Sequence, residues 1–402
     1  MLFEHKITIR DITETILNVG ARHQISLMFY GSSGIGKSEK IAQAANELTA
    51  GLDISWQKTN FVDFRLCFEA VESIGGLWIP QDDLASAGIK LTKAMPEIWE
   101  QVFTEGWTGV ILLDELSSAT PSKQSIAYQL LNERVLGGRK ISSKAVLVGA
   151  GNMQDSGGLV YNLLKPVANR MMQLEIEDTG TTATDIWIED SASLNAVHPA
   201  IISYLKEHPQ NLNKNTEDSN CPAFPSQRTW TKASPILHDM DSGFVSKKIG
   251  WIWIGGLIGE SYASELKLHY ELGFKLPKAS NILKGLQEVM PSEFQTTSAQ
   301  NYIIYSVSGL WKQNFMNQEV KEEDLFKSLD FAVDSFQNNL NSAHQTEKDL
   351  LIAFGLDIKA FAEKNAQKFN RPNNMSLMLV NKTKSFNHVV SEIIKMKTLA
   401  KD

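Results

Sequence analysis

The eight residues Gly31 to Ser38, GSSGIGKS, place three glycines before a lysine and a serine at Walker A spacing. Glycines let backbone N–H groups turn inward onto phosphate oxygens. Lys37 would supply charge to the β- and γ-phosphates, and Ser38 would be a ligand of Mg²⁺. The alternative is a plain glycine-rich turn. The pattern predicts a site for ATP and Mg²⁺ formed by Gly31, Ser32, Ser33, Gly34, Ile35, Gly36, Lys37 and Ser38.

Two acidic residues and an asparagine supply the second half of such a site. Asp114 and Glu115 follow the apolar run 110–113, which is the Walker B arrangement. Asp114 would hold Mg²⁺, and Glu115 would orient and polarise the attacking water. Asn152 lies just past the apolar run 145–149, where it would contact the γ-phosphate and that water. The alternatives are two solvated acids at a strand end and an ordinary turn asparagine.

Buried strands must bring these groups to one edge of a sheet. The apolar runs 25–30, 110–113 and 145–149 are typical of parallel strands, and 57–64 predicts another. Ligands of open parallel sheets bind beyond the carboxyl ends of the strands. Apolar residues at helical spacing follow the glycine loop as far as Gly51. The order of strand, loop and helix favours a phosphate site over a plain turn.

The run ILLDELSSATPSKQSIAYQLLNERVLGGRKISSKAVLVGAGN, at 111–152, resembles the MoxR-type branch of the AAA+ ATPases. KPVANRMMQLEI at 165–176 resembles the arginine-finger segment of that family, and FPSQRTW at 224–230 resembles its sensor-2 segment. The resemblance extends from about residue 20 to about residue 290. It implies an α/β fold, an AAA+ core with a parallel five-stranded sheet, followed by an all-α lid and a C-terminal helical region.

The resemblance also implies roles for three further residues. Asn152 would be sensor 1, Arg170 would be an arginine finger reaching the nucleotide of a neighbouring subunit, and Arg228 would be sensor 2. Guanidinium groups suit this work because they stay charged and fork onto phosphate oxygens. The alternative for each arginine is a surface ion pair. Arg134 is another candidate for a contact between subunits, and Gln227, where proline is common, makes the lid entry less rigid.

Two segments resemble client-contacting elements of MoxR-like proteins. Residues 72–99 are too long for a plain helix connection and resemble the helix-2 insertion. Residues 134–142 contain Gly137-Gly138, which predicts a tight hairpin like the pre-sensor hairpin of the family. We hypothesise that their apolar and basic side chains grip a client, and the alternative is ordinary loop packing. These side chains are Trp78, Ile79, Arg139 and Lys140.

We expect three domains along the chain. Residues 1–178 would form the nucleotide-binding core with an N-terminal helix beside the site, 179–265 the lid, and 266–402 a helical region. The apolar stretch 249–259 is too short for a bilayer, which needs roughly 20 residues, and predicts a buried helix. The last predicted helix carries lysines that a solvated face explains better than nucleic acid does. These are Lys395, Lys397 and Lys401.

Composition narrows the class of protein. The 402 residues carry a net charge of −7, which argues against a protein that mainly wraps nucleic acid. Cys67 and Cys221 lack metal-ligand spacing and are typical of a reducing compartment. The eight histidines show no metal motif, and His198 and His208, each before a proline, are interpreted as structural or exposed. The N-terminus has no apolar signal region, so we expect a cytoplasmic protein without membrane insertion.

Three hypotheses of function remain open. The first is a ring-forming, hexameric MoxR-like ATPase that remodels or assembles a protein client, with a separate von Willebrand factor A-domain partner implied by the resemblance. The second is a nucleic-acid motor or McrB-like defence ATPase. The third is a scaffold that binds nucleotide without hydrolysis, against which Glu115 argues.

Overall fold

The structure, a computed structural model, divides the chain into two compact units. Residues Met1–Ala183 and Asn213–Asn220 belong to the first unit, and Thr184–Leu212 and Cys221–Asp402 to the second. It describes residues 5–68, 76–83, 88–152, 161–192, 197–214, 223–287, 289, 296–340, 345–367, 369–372, 374–383 and 387. Cys221 and the three C-terminal lysines lie outside these residues, as do parts of the insertion at 72–99. The separate lid and C-terminal domains stay a prediction.

Among the described residues, nine strands, all in the first unit, form one parallel sheet and two antiparallel hairpins. They are β1 Ser26–Tyr30, β2 Phe61–Arg65, β3 Leu77–Asp83, β4 Gly88–Ala94, β5 Gly109–Asp114, β6 Val135–Leu136, β7 Arg139–Lys140, β8 Ala145–Gly151 and β9 Met171–Glu175. The sheet has the order β2-β5-β8-β1-β9, and every neighbouring pair in it is parallel. The predicted α/β core with a parallel five-stranded sheet is confirmed.

Helices surround this sheet and make up the second unit. In the first unit they are α1 Asp11–Thr15, continued by a π-helical segment Ile16–Ala21, α2 Lys37–Thr49, α3 Glu97–Glu100, α4 Pro121–Glu133 and α5 Lys165–Ala168. They continue with α6 Gly180–Trp187, α7 Pro199–Glu207, α8 Gln227–Asp241, α9 Lys247–Ile258, α10 Glu260–Gly273, α11 Ala279–Leu283, α12 Thr297–Met316, α13 Glu322–Leu340, α14 Gln345–Asn365 and α15 Met375–Lys382. The predicted helical C-terminal region is confirmed.

The three central strands are buried along their whole length, which is why they read as unbroken apolar runs. On one face of the sheet, Ile12 and Ile16 pack with Ile41 of α2. On the other face, Trp99 and Trp107 join the core. The predicted N-terminal helix therefore exists and packs beside the helix that follows the glycine loop.

Helix α9 corrects one expectation. The stretch 249–259 is helical as predicted, but it is not buried all round. Ile249, Ile252 and Trp253 are 41%, 55% and 49% exposed, whereas Ile254 and Ile258 are fully buried. Residues three and four apart share a helix face, so the exposed residues form a stripe of their own. A nearly all-apolar segment carries no sequence signal that would distinguish its two faces.

Candidate nucleotide site

The glycine loop lies between β1 and α2, as the predicted order requires. The first residue of the loop is bonded to β8, the neighbour of β1 in the sheet, since the Gly31 N–H donates to the Gly151 carbonyl at 3.2 Å. Gly34 and Gly36 have φ of 86° and 88°, in the left-handed region that favours glycine. Ile35 between them is buried, and it is the one apolar side chain of the loop. The loop backbone therefore favours glycine at both positions, of which Gly36 is also one that the motif requires.

Lys37 begins α2 and turns its side chain back into the loop. The side chain is buried, and Nζ donates to the carbonyls of Gly31 at 2.8 Å and Ser32 at 3.0 Å. The Ser32 N–H donates to a carboxylate oxygen of Asp178 at 2.8 Å. A buried ammonium held by carbonyls of a glycine loop is placed to meet an anion there. Asp178 was missed by sequence reasoning, because no motif marks it.

Ser38 and Asp114 bring α2 and β5 together. The Ser38 hydroxyl donates to Oδ2 of Asp114 at 3.1 Å, and Oδ1 of Asp114 accepts from the Glu115 N–H at 3.0 Å. Asp114 is only 8% exposed, and Nε of Arg65 lies 3.9 Å from Oδ2. Hydroxyl and carboxylate oxygens are the ligands that Mg²⁺ prefers. The residues present therefore fit Mg²⁺, which Ser38 and Asp114 would hold.

Glu115 and Asn152 meet beyond the ends of β5 and β8. Oε2 of Glu115 accepts from the Ser118 hydroxyl at 3.0 Å and from Nδ2 of Asn152 at 3.4 Å. Glu115 has φ 54° and ψ 34°, a conformation that costs a non-glycine residue of order 1 kcal/mol. Strain of this kind is concentrated at functional sites. The two predicted residues are thus brought together, with the carboxylate held in one place.

Ser117 links the two strand ends and was missed by sequence reasoning. Its hydroxyl accepts from the Asn152 N–H and donates to the Asn152 carbonyl, each at 3.0 Å. The amide oxygen Oδ1 of Asn152 is buried and has no hydrogen-bond partner in the described structure. A buried acceptor without a partner costs free energy, so a donor from water or a ligand would satisfy it. Ser117 is the first serine of the SSAT run that follows Leu116, and its place close after the acidic residues is the sequence feature that could have indicated it.

Burial raises the pKa of two ionisable groups near Asp114 and Glu115. The pKa of Asp63 is raised by burial and by the nearby charge of Asp114, against an opposing effect of Arg65. Burial also raises the pKa of the Cys67 thiol, and the charge of Glu115 adds to this effect. Cys67 therefore stays a neutral thiol at neutral pH, as expected for a cysteine without a nucleophilic role.

Arg170 directly precedes β9. It therefore lies at the amino ends of the strands, opposite to the carboxyl ends that carry the glycine loop. Its Nε donates to Asn132 at 2.7 Å, one terminal nitrogen donates to the Pro166 carbonyl at 2.9 Å, and the guanidinium lies 4.4 Å from the ring centroid of Tyr128. It lines an open cavity of about 760 Å³ together with Lys165. The predicted finger residue is thus not brought to the glycine loop of its own chain.

The other two arginines have different surroundings. Arg228 is exposed in the first turn of α8, in the second unit. Ser226 and Thr229 form a capping box that fixes the start of this helix without the proline common in the family. Arg134 instead donates to the carbonyls of Ser142 and Ala145 within its own chain. These bonds favour a structural role for Arg134, and its contact between subunits stays a prediction.

Both predicted loop elements contain antiparallel hairpins. In the first, β3–β4, Trp78 and Ile79 are 60% and 41% exposed, and Nζ of Lys93 lies 5.0 Å from the Trp78 ring. In the second, β6–β7, both glycines of the turn have positive φ, which confirms the predicted tight hairpin. Arg139 there is paired with Glu100 at 2.6 Å. The apolar side chains are open to solvent, whereas the arginine is neutralised.

Comparisons with known proteins give distant structural neighbours. No protein-family model and no curated protein matches the chain. NtrX from Brucella abortus in complex with ADP is 11% identical, with a TM-score of 0.33, over 66% of this chain and 69% of that one. A RuvB variant from Thermotoga maritima is 14% identical, with a TM-score of 0.33, over 80% of each chain. Similarity this low leaves the function to be argued from the residues of this chain.

Among the residues that the structure describes, no helix combines the length and the apolar character needed to cross a bilayer.

Proposed function

We propose that this chain is a ring-forming ATPase of the AAA+ class and MoxR type, which couples ATP hydrolysis to remodelling or assembly of a protein client. The observation that carries the proposal is the carboxyl edge of the sheet. There the Ser38 hydroxyl contacts Asp114, and Asn152 contacts Glu115, beside a glycine loop that holds the Lys37 ammonium. This is the set of groups that nucleotide hydrolysis requires, at the edge where ligands of parallel sheets bind.

The residues at the carboxyl edge have roles that follow from their positions, and Arg228 has the role that the resemblance of its segment implies. The loop N–H groups and Lys37 would bind the phosphates, and Ser38 with Asp114 would hold Mg²⁺, which neutralises phosphate charge when bound. Glu115 would accept a proton from the attacking water, and its bonds from Ser118 and Asn152 keep its carboxylate in place. Arg228 would act as sensor 2.

The decisive experiment compares Glu115→Gln with Glu105→Gln, which alters an exposed carboxylate away from the site. Glu115→Gln should bind ATP with unchanged affinity and lose at least about 100-fold in turnover, because a general base contributes 10²–10⁴-fold. Glu105→Gln should hydrolyse like the wild type. Binding is measured with a fluorescent ATP analogue and turnover by phosphate release. Full turnover by Glu115→Gln would remove the catalytic assignment.

The sheet geometry supports a shared site in a ring. Met171, next to Arg170, pairs with Ser26, four residues before the end of β1 at Tyr30. At about 3.3 Å per residue, Arg170 lies roughly 13 Å or more from the glycine loop along the sheet. Only a neighbouring copy would bring this arginine to the nucleotide.

The exposed stripe of α9 offers an apolar surface for ring contacts. It consists of Ile249, Ile252 and Trp253, and Phe244 just before the helix is 85% exposed. Exposed apolar patches of this kind mark protein–protein contacts. Trp253→Ser should shift the sedimentation of the ATP-bound protein toward the monomer, whereas Trp56→Ser, an exposed tryptophan of the first unit, should not. Equal ring formation by both variants would remove α9 from the interface.

The hairpin β3–β4 would contact the client. Its exposed Trp78 and Ile79 are apolar side chains on a projecting element, which suits capture of a protein segment. Replacing both with serine should abolish remodelling and leave ATP turnover intact, with Trp56→Ser as the matched control. The client, and a separate von Willebrand factor A-domain partner, would be sought by pull-down with Glu115→Gln, which should hold the ATP-bound state. Normal remodelling by the double variant would rule out this hairpin.

The rival functions predict other outcomes. A nucleic-acid motor should be stimulated by DNA with a steep dependence on salt, and a scaffold should form rings with ATP but show no turnover. The pairing of Arg139 with Glu100 leaves the second hairpin less basic than its sequence indicates.

A further inference from the structure

Two consecutive residues and a third one about 60 residues later meet in the second unit, apart from the nucleotide site. Glu207 ends α7, His208 follows it directly, and His269 comes from α10. A carboxylate oxygen and one ring nitrogen from each histidine all lie within 4.8 Å of one another. We propose that this Glu207–His208–His269 triad binds a divalent transition-metal ion of the zinc type.

The protonation of His269 follows from its neighbour Ser203. The Ser203 hydroxyl donates its only proton to the Ser298 carbonyl at 3.0 Å. Its oxygen therefore accepts from Nδ1 of His269, 3.2 Å away, so Nδ1 carries the ring proton. The lone pair of the neutral ring is then on Nε2. A hydrogen bond from the second ring nitrogen is the usual way in which proteins orient a metal-binding histidine.

This lone pair faces a second acceptor. Nε2 of His269 lies 3.6 Å from Oε2 of Glu207. The other oxygen of Glu207, Oε1, accepts from the Ser298 hydroxyl, so the carboxylate is oriented as well. Two acceptors facing each other repel unless a proton or a metal cation lies between them. Tetrahedral zinc with bonds of about 2.0 Å separates its ligand atoms by about 3.3 Å, close to the 3.6 Å between Nε2 of His269 and Oε2 of Glu207.

His208 completes the set on the solvent side. Its ring packs against Tyr204 at 5.0 Å and edge-to-face with His269 at 6.3 Å between centroids. Two imidazoles and one carboxylate suit zinc, cobalt or nickel better than Mg²⁺ or Ca²⁺, which prefer oxygen ligands alone. A bound ion would tie the end of α7 to the middle of α10.

A second histidine group in the same unit provides a built-in control. His198 accepts from the Ala200 N–H through Nδ1, so it donates through Nε2 to Asp241. Asp241 also accepts from the Tyr270 hydroxyl at 2.8 Å. The lone pair of His198 is thus already used by the backbone. His238, the third member of that group, is exposed and is a matched position for substitution.

Titration of the full-length protein with Co²⁺ tests the proposal, with excess Mg²⁺ present to occupy Ser38 and Asp114. The wild type should bind one equivalent, with the visible absorption of tetrahedral cobalt, and Zn²⁺ should displace it. His208→Ala should weaken binding at least about tenfold, and Ser203→Ala should weaken it by about 10–100-fold. His238→Ala should bind like the wild type.

Two outcomes would overturn the proposal. One is a wild type that binds Co²⁺ and Zn²⁺ no better than His208→Ala. The other is loss of binding in His238→Ala but not in His208→Ala, which would place the ion at the other group. His208 is half-exposed, so its replacement should fold, and circular dichroism checks this. Zn²⁺ should also raise the Tm of the wild type but not that of His208→Ala, whatever the outcome for ATP hydrolysis.

Discussion

The two edges of the parallel sheet satisfy their polar side chains in different ways. At the carboxyl edge, Ser38, Asp114, Glu115 and Asn152 come from separate segments and hydrogen-bond to one another. At the amino edge, Arg170 is held only by neighbouring α4 and α5, and it lines an open cavity. The first arrangement is closed within one chain. In the second, Arg170 lines a cavity, and the proposed contact with another subunit would bring that subunit's nucleotide to it.

The largest expected effect tests this difference between the edges. Arg170→Ala and Lys37→Ala should each lose turnover, by about 10³–10⁵-fold for the arginine if it acts as a finger. Mixing the two inactive variants should restore activity, because a mixed ring contains interfaces with an intact loop and an intact arginine. Phosphate release from the mixture measures this. The exposed Arg22→Ala serves as a control with normal turnover.

A mixture as inactive as its two components would show that Arg170 does not serve a neighbouring site. Full activity of Arg170→Ala alone would remove its catalytic role altogether.

Substitutions at the carboxyl edge should lower ATP turnover more when they remove a direct contact with phosphate than when they remove only a supporting hydrogen bond. Asn152→Ala removes an amide that contacts Glu115 and is placed to contact phosphate, so turnover should fall by about 10²-fold. Ser118→Ala removes only a hydrogen bond to the same carboxylate and should cost about tenfold. Steady-state kinetics at saturating ATP separates the two. If Ser118→Ala were the more damaging, Asn152 would not be the sensor.

Close packing at the carboxyl edge should make the free energy of unfolding sensitive to an added methyl group there. A Cβ added at Gly151 would lie 2.3 Å from the Ser117 hydroxyl, so Gly151→Ala should destabilise the protein by about 1–3 kcal/mol. The helical Gly309 has open space around it, and Gly309→Ala should stabilise by about 0.5–1 kcal/mol. Urea denaturation measures both. A neutral Gly151→Ala would mean that the contact between the strand ends relaxes easily.

The smallest expected effect is on the pH dependence of stability, and it comes from Asp63, whose carboxylate lies near that of Asp114. The pKa of Asp63 is raised in the folded protein, so the folded state binds this proton more tightly than the unfolded state does. The stability it contributes is present at low pH and is lost as pH rises from about 3.9 through the folded pKa. Asp63→Asn should therefore stabilise the protein more at pH 7 than at pH 4, as measured by urea denaturation. In an Asp114→Asn background this difference should shrink, and an unchanged difference would exclude Asp114 as a cause.

Much of the site was predictable because its motifs are local. The glycines at 34 and 36, the apolar strands and the acids at 114–115 lie in continuous segments whose spacing reflects backbone geometry. Ser117, Asp178 and the pairing of Arg139 with Glu100 were not predictable, since each depends on a contact between segments without a shared motif. The roles of Arg170 and Arg228 stay predictions.

The sequence by itself determined the strand, loop and helix around GSSGIGKS and the acids that complete the site, since strand periodicity and glycine conformations are local properties. Only the tertiary structure decided the rest. Strand order placed Asn152 beside Glu115, the parallel direction of β9 placed Arg170 at the amino ends of the strands, and helix packing exposed one face of 249–259. It also brought His269 to Glu207 and His208, because contacts between distant segments depend on how whole elements pack.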